Sequence, residues 1–173
     1  MVIEIVDYDE NWPLKYAAEA NNIRNIISSD LVSIYHIGST AIKGLRARAI
    51  IDILIVVKKI ELIDELKKKF EDLDYECLEK NENLRGYYFK KKNDGFNLYV
   101  FSVDDVSEIE RYLAVSFYLK EHQDVAYEYA DFKVNIASKC RNNKKYFKEK
   151  NKFIAEIEKD AYKWYHSKNI HIV

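Results

Sequence analysis

The sequence of 173 residues is long enough for one sizeable core and too short for two ordinary domains. Its 28 lysines and arginines nearly cancel its 29 aspartates and glutamates, so a formal charge of -1 supplies no overall field toward nucleic acid or an anionic membrane. An apolar share of 48% argues against disorder, and no apolar run approaches the roughly 20 residues of a membrane span. Met1-Val2-Ile3-Glu4-Ile5 lacks the basic and long apolar parts of an export signal, so a cytoplasmic protein is expected.

Val2 to Val6 is rich in β-branched residues and strand-like; Asp9 to Pro13 then forms a turn leading into an amphipathic helix marked by Tyr16, Ala20, Ile23 and Ile27. Leu31 to Ile37 reads as a strand that runs into Gly38-Ser39-Thr40. Ala49 to Val57 is an almost unbroken apolar run, the pattern of a strand covered on both faces, with the single carboxylate Asp52 inside it. A helix follows over Ile60 to Phe70, then strands at Tyr75 to Leu78, Gly86 to Lys91 and Phe96 to Phe101. From Val106 the apolar spacing predicts three helices.

No glycine- or proline-rich linker divides the chain, which predicts a single domain over 1–173, with a sheet-containing core in 1–105 and a helical layer in 106–173 packed on it. Cys77 and Cys140 are far apart and form no C-x-x-C pair, so they read as two reduced thiols. Nucleophilic catalysis has little support: a Gly-x-Ser-x-Gly elbow and a P-loop are both absent.

The chemistry gathers around the Gly-Ser turn. A strand ending in Gly38-Ser39-Thr40 and then a helical turn would expose backbone N–H groups and hydroxyls to phosphate oxygens. Asp52, on the next strand, would hold Mg²⁺ against a nucleoside triphosphate. Lys43, Arg46 and Arg48 lie in the same interval and would bring cations to the phosphates, although Lys43 and Arg46 read equally well as loop-surface residues. His36, just before the turn, would either act as an acid/base group or pin the turn as a structural histidine. Arg85 and Tyr87 share a strand face and would contact phosphate and base if that face lines the cleft; ordinary sheet packing is the alternative. Lys133 and Lys150 sit on the core-like stripes of their helices, where an ammonium must either snorkel outward or meet an anion. His122, His166 and His171 have no metal-ligand spacing.

His36-Ile37-Gly38-Ser39-Thr40-Ala41-Ile42-Lys43-Gly44-Leu45 followed by Arg48-Ala49-Ile50-Ile51-Asp52-Ile53 resembles the signature of the GrpB family. The resemblance continues through Asp7 to Pro13, Arg85 to Phe89, Tyr118-Leu119 and the stretch holding Tyr146, Lys150, Phe153 and Ile154. It implies an α/β (α+β) fold with a nucleotidyltransferase-like mixed sheet flanked by helices, related to the DNA polymerase beta type superfamily. It also implies a catalytic and metal-binding Asp52 with Mg²⁺ as cofactor, and phosphate contacts from Gly38, Ser39, Thr40, Lys43, Arg48, Arg85 and Lys150. Nucleotidyl transfer from a nucleoside triphosphate to a small molecule or protein would follow.

Several departures favour an alternative. The superfamily usually places a second carboxylate two residues after the first, where this chain has Leu54. Asn97-Leu98-Tyr99 stands where the family usually shows His-Leu-His, and Ser116-Phe117 where it shows Arg-Asp. The alternative is a nucleotide- or anion-binding module without catalysis, with a regulatory role. Because related domains occur fused to dephospho-CoA kinases, the resemblance also implies a link with coenzyme A metabolism.

Overall fold

The computed structural model describes residues 3–81, 86–92, 95–140 and 142–168. Five strands, β1 (Leu31–Ile37), β2 (Ile51–Val57), β3 (Tyr75–Asn81), β4 (Gly86–Lys91) and β5 (Phe96–Ser102), join five helices: α1 (Trp12–Ile27), α2 (Leu62–Asp72), α3 (Val106–Glu121), α4 (Gln123–Lys139) and α5 (Asn143–Ser167). The strands make one mixed sheet in the order β1-β2-β5-β4-β3. β2 and β5 run parallel, and the other neighbouring pairs are antiparallel. The expected α+β architecture, a mixed sheet flanked by helices, is thus observed, with the three C-terminal helices where the apolar spacing predicts them.

Strand alternation sorts the core into two layers. Ile51, Ile53, Ile55 and Val57 of β2 join Leu98 and Val100 of β5 beneath α1 and α2. Leu54 and Val56 point the other way and pack with Phe101 against Ile109, Leu113 and Ala114 of α3 and Ala161 and Tyr165 of α5. A third cluster seats Ile42 and Leu45, from the connection between β1 and β2, against Leu119 of α3, Ala126, Tyr129 and Ala130 of α4 and Ile157 of α5. The helical layer therefore clamps the loop that carries the Gly-Ser turn. Pro13 lies in the first turn of α1, where its missing N–H costs nothing.

The expected N-terminal strand is reduced to a bridge. Val6 exchanges backbone hydrogen bonds with Ala47 at 2.8 and 3.0 Å, and Val2 lies outside the described residues. Pairing stops because Asp9 turns the chain, accepting hydrogen bonds from the backbone and side-chain nitrogens of Asn11. No helix among the described residues is long and apolar enough to cross a membrane.

Candidate functional site

β1 and β2 pair so that Ile37 stands opposite Asp52 and His36 opposite Ile53. Cross-strand partners share a face. Asp52 therefore faces α3–α5 with Leu54 and Val56, whereas His36 faces α1. At the Asp52 end of that layer lies a cavity of about 280 Å³, with Gly38, Ser39, Arg48, Asp52, Lys133 and Lys150 among its walls.

The turn and the carboxylate are in close contact. Gly38 has φ +71°, and a Cβ there would lie 2.6 Å from Oδ2 of Asp52, so both backbone conformation and proximity demand glycine. The Asn97 side-chain amide, at the paired position on β5, donates to Oδ1 of Asp52 at 2.8 Å. Burial raises the Asp52 pKa, and Asn97, Lys150 and Arg48 oppose the rise in that order. The residue that replaces the family's first histidine thus holds the carboxylate in place.

Cations occupy the opposite walls. Lys133, only 3% exposed, donates to Oγ of Ser39 at 2.7 Å and to the Arg46 carbonyl at 2.9 Å, and its ammonium stands 4.6 Å from the centre of the Tyr129 ring. Burial, reinforced by Lys150 and Arg48, lowers its pKa to about 7. Burial also lowers Lys150, against the attraction of Asp52. The Arg48 guanidinium and the Lys150 ammonium both approach the Phe147 ring, at 5.0 and 5.7 Å from its centroid. Arg111 reaches the cavity too, but Glu108 and Glu158 neutralise it. Tyr146 and Ser116, both lining the cavity, carry hydroxyls (Oη and Oγ) that are buried without a hydrogen-bond partner.

Several expected site residues lie elsewhere. His36 stacks on Tyr16 of α1 at 4.8 Å and pairs through Nε2 with Oγ1 of Thr40 at 3.0 Å. Thr40 donates its one hydroxyl hydrogen to the Ile50 carbonyl at 3.2 Å, so the imidazole Nε2–H donates to Thr40. Burial lowers the His36 pKa to about 4, with help from Lys120, and the ring stays neutral at pH 7. His36 and Thr40 thus clasp the turn from behind and do not line the cavity. Lys43 is exposed because its neighbours Ile42 and Leu45 are the residues buried under the helical layer. Arg46 pairs with Asp131 of α4. Tyr87 packs with Phe89 in the core beneath α1 and α2, on the sheet face away from the cavity. Arg85 lies outside the described residues.

The protein donors do not by themselves make a divalent-metal site. Among the described residues there is no group of three or more histidines, cysteines, aspartates or glutamates that could hold a metal ion. Leu54, fully buried on the same face as Asp52, fills the place of the second carboxylate, and Asn97 already occupies one Asp52 oxygen.

A model of the family described as GrpB protein matches residues 2–160. The chain belongs to the GrpB family. UPF0157 protein YqkA of Bacillus subtilis is 28% identical over 169 residues, 96% of this chain; the chain spans 49% of that relative's length. The crystal structure of conserved protein GrpB from Enterococcus faecalis superimposes with a TM-score of 0.89 at 31% identity, covering 94% of this chain and 99% of the other. A Cid1 poly(U) polymerase structure with Mg 3'-dATP bound gives a TM-score of 0.51 at 17% identity, over 73% of this chain and 41% of the polymerase chain. That second likeness is one of fold: the GrpB chain shares the nucleotidyltransferase-like scaffold.

Of the residues that sequence reasoning assigned to the site, Gly38, Ser39, Arg48, Asp52 and Lys150 come together at the cavity, joined by Lys133. Sequence reasoning gave no site role to Asn97, Arg111, Tyr129 or the hydroxyls of Ser116 and Tyr146. Asn97 and Ser116 carried a signal, since both stand at departures from the family pattern. The tyrosines carried none, because an aromatic on a helical stripe reads as core.

Proposed function

We propose that this GrpB-family chain binds a phosphate-bearing small molecule, a nucleotide first among them, in the cavity between the Gly38-Ser39 turn and α3–α5. The observation that carries this reading is a surplus of positive charge: beside the Arg111–Glu158 pair, Arg48, Lys133 and Lys150 stand with Asp52 at the walls of one cavity. Lys133 is buried and Arg48 and Lys150 half-buried, and cations so placed without matching carboxylates are costly, a cost that an anionic ligand would offset. Ser39 and the Gly38 backbone would meet phosphate oxygens, Arg48 would form charge-assisted hydrogen bonds to them, and Lys150 would neutralise what remains.

Nucleotidyl transfer is a second reading, supported by the close approach of the Gly-Ser turn to Asp52. A Mg²⁺ ion in that reaction would have Asp52 as its one carboxylate from β2, since the next residue on that face is the buried Leu54. Binding without transfer is therefore the better-supported function. The link with coenzyme A metabolism implied by fused relatives adds phosphorylated cofactor fragments to the ligands worth testing.

Calorimetric titration with the ribonucleoside tri-, di- and monophosphates, in Mg²⁺ buffer with pyrophosphate assayed in parallel, tests this reading. Binding without pyrophosphate release is the expected result. Sustained pyrophosphate release would move the conclusion to transfer, and no binding of any phosphate compound would remove both readings.

A further inference from the structure

We infer that the cavity receives a phosphate monoester dianion directly on protein cations, without a divalent metal ion, with Lys133 and Lys150 supplying the charge that a metal would otherwise bring. The inference rests on the phosphate-binding reading and specifies its chemistry.

The charge inventory is the first support. Counted over the cavity walls, the cations Arg48, Arg111, Lys133 and Lys150 are set against the carboxylates Asp52 and Glu158, of which Glu158 pairs with Arg111; Arg46 pairs with Asp131 outside. Four cations against two carboxylates at the walls leave a surplus of two positive charges, which a dianion cancels. A divalent ion added to this set would double the surplus and stand against three like charges in a partly desolvated pocket, where repulsion is weakly screened. A triphosphate would overshoot the balance in the other direction.

Unmet hydrogen-bonding capacity is the second, independent support. Oη of Tyr146 (the residue 1% exposed) and Oγ of Ser116 (3% exposed) belong to residues lining this cavity and have no partner. Buried hydroxyls are ordinarily satisfied, so each calls for an acceptor. Lys133 uses two of its three ammonium hydrogens on Ser39 and the Arg46 carbonyl, which aims the nitrogen at the turn and leaves one hydrogen. Ser39 accepts from Lys133 and so stands beside its ammonium at the cavity wall. These groups come from four separate elements: the Gly-Ser turn, α3, α4 and α5. A tetrahedral group with oxygens on several sides suits such a set, whereas an extended polyphosphate does not. A cavity of about 280 Å³ lies just below the usual range for small-molecule sites, which fits a compact ligand.

The metal requirement separates this inference from the scaffold's usual chemistry. Wild-type protein is titrated with adenosine monophosphate, inorganic phosphate and succinate at about pH 6.5, where a phosphate ester is largely dianionic, in EDTA and again in excess Mg²⁺. The expected result is that adenosine monophosphate binds in EDTA at least as tightly as in Mg²⁺. Lys133→Met should weaken it by about tenfold or more, the loss of a charge-assisted contact, while Asp52→Asn should tighten it because a competing anion has gone. Should Lys133→Met fail to fold, Lys150→Met and the wild-type EDTA comparison still decide. Binding seen in Mg²⁺ alone and lost in Asp52→Asn would overturn the inference and leave the phosphate-binding reading intact. Succinate binding as tightly as the phosphates would overturn the assignment to phosphate. No phosphate binding in either buffer would remove the parent reading together with this one.

Discussion

The two faces of the sheet handle buried charge in opposite ways. Beneath α1 and α2, Glu19 is 5% exposed, yet its carboxylate accepts from the Tyr75 hydroxyl at 2.8 Å, the Lys91 ammonium at 3.0 Å and the Asn22 amide at 3.1 Å. Beneath α3–α5, Lys133 is equally buried, but its hydrogen-bond partners are a neutral hydroxyl and a carbonyl. The first face is a closed electrostatic account, with one carboxylate and one ammonium held together. On the second, cations outnumber carboxylates at the cavity and three buried hydroxyls, of Ser116, Tyr146 and Tyr165, lack partners. The lesson is that burial of an ionisable group does not mark a site; failure to balance it internally does.

The comparison predicts different consequences for equivalent damage. The largest effect belongs to the closed face: Glu19→Ala removes the acceptor of three hydrogen bonds and should cost about 3–5 kcal/mol in stability, the usual loss on breaking a buried ion pair. Urea denaturation reads that loss, and calorimetry on the folded variant should show unaltered affinity for adenosine monophosphate. A weakened affinity would mean that the two faces are coupled.

On the open face the expected effect is a pH dependence. Lys133 is lowered from 10.5 to about 7 by burial, Lys150 and Arg48, with Arg46 adding to the shift and Asp52 opposing it. Anion binding needs the ammonium, so affinity should start to fall as pH rises past 7, by up to about tenfold per unit until the bound-state pKa is reached. Stability of the ligand-free protein moves the opposite way. Between about 7 and 10.5 the unfolded chain keeps this proton while the folded chain has lost it, so the Lys133 contribution to unfolding free energy rises with pH. Lys133→Arg should flatten the affinity profile. A wild-type profile with no decline above pH 7 would contradict the assignment.

The smallest effect is expected at His36. Its ring is neutral, stacked on Tyr16 and bonded to Thr40, away from the cavity. His36→Phe keeps the stacking and loses one hydrogen bond, so about 1 kcal/mol of stability should go while affinity stays within about twofold. A tenfold loss of affinity would restore the histidine to the site.

Much of the architecture was legible along the chain, because hydrophobic periodicity is a local property. β1 runs from Leu31 to Ile37 and β4 from Gly86 to Lys91, as the apolar pattern and flanking turns indicate, and three helices follow Val106. The strand expected at Val2 to Val6 shows the limit. β-branched content favours an extended chain, but a strand also needs a partner, and Val6 finds one only at Ala47. Within the site, Gly38 beside Asp52 was legible because a glycine turn and an isolated carboxylate in an apolar run each demand a reason.

The sequence by itself determined the elements, their order, the conformational need for Gly38 and the presence of one unexplained carboxylate on β2. Tertiary structure alone decided which of the neighbouring polar groups that carboxylate would meet. Residues 36 and 52 are both close to the Gly-Ser turn in sequence, yet the register that sets Ile37 against Asp52 sends His36 to the opposite face, and a slip of one residue would reverse the outcome. Lys133 reaches Ser39 across 94 positions because α4 packs over the loop through Tyr129 and Ala130. Periodicity is written in neighbours a few residues apart, whereas charge balance is settled by groups that only packing brings together.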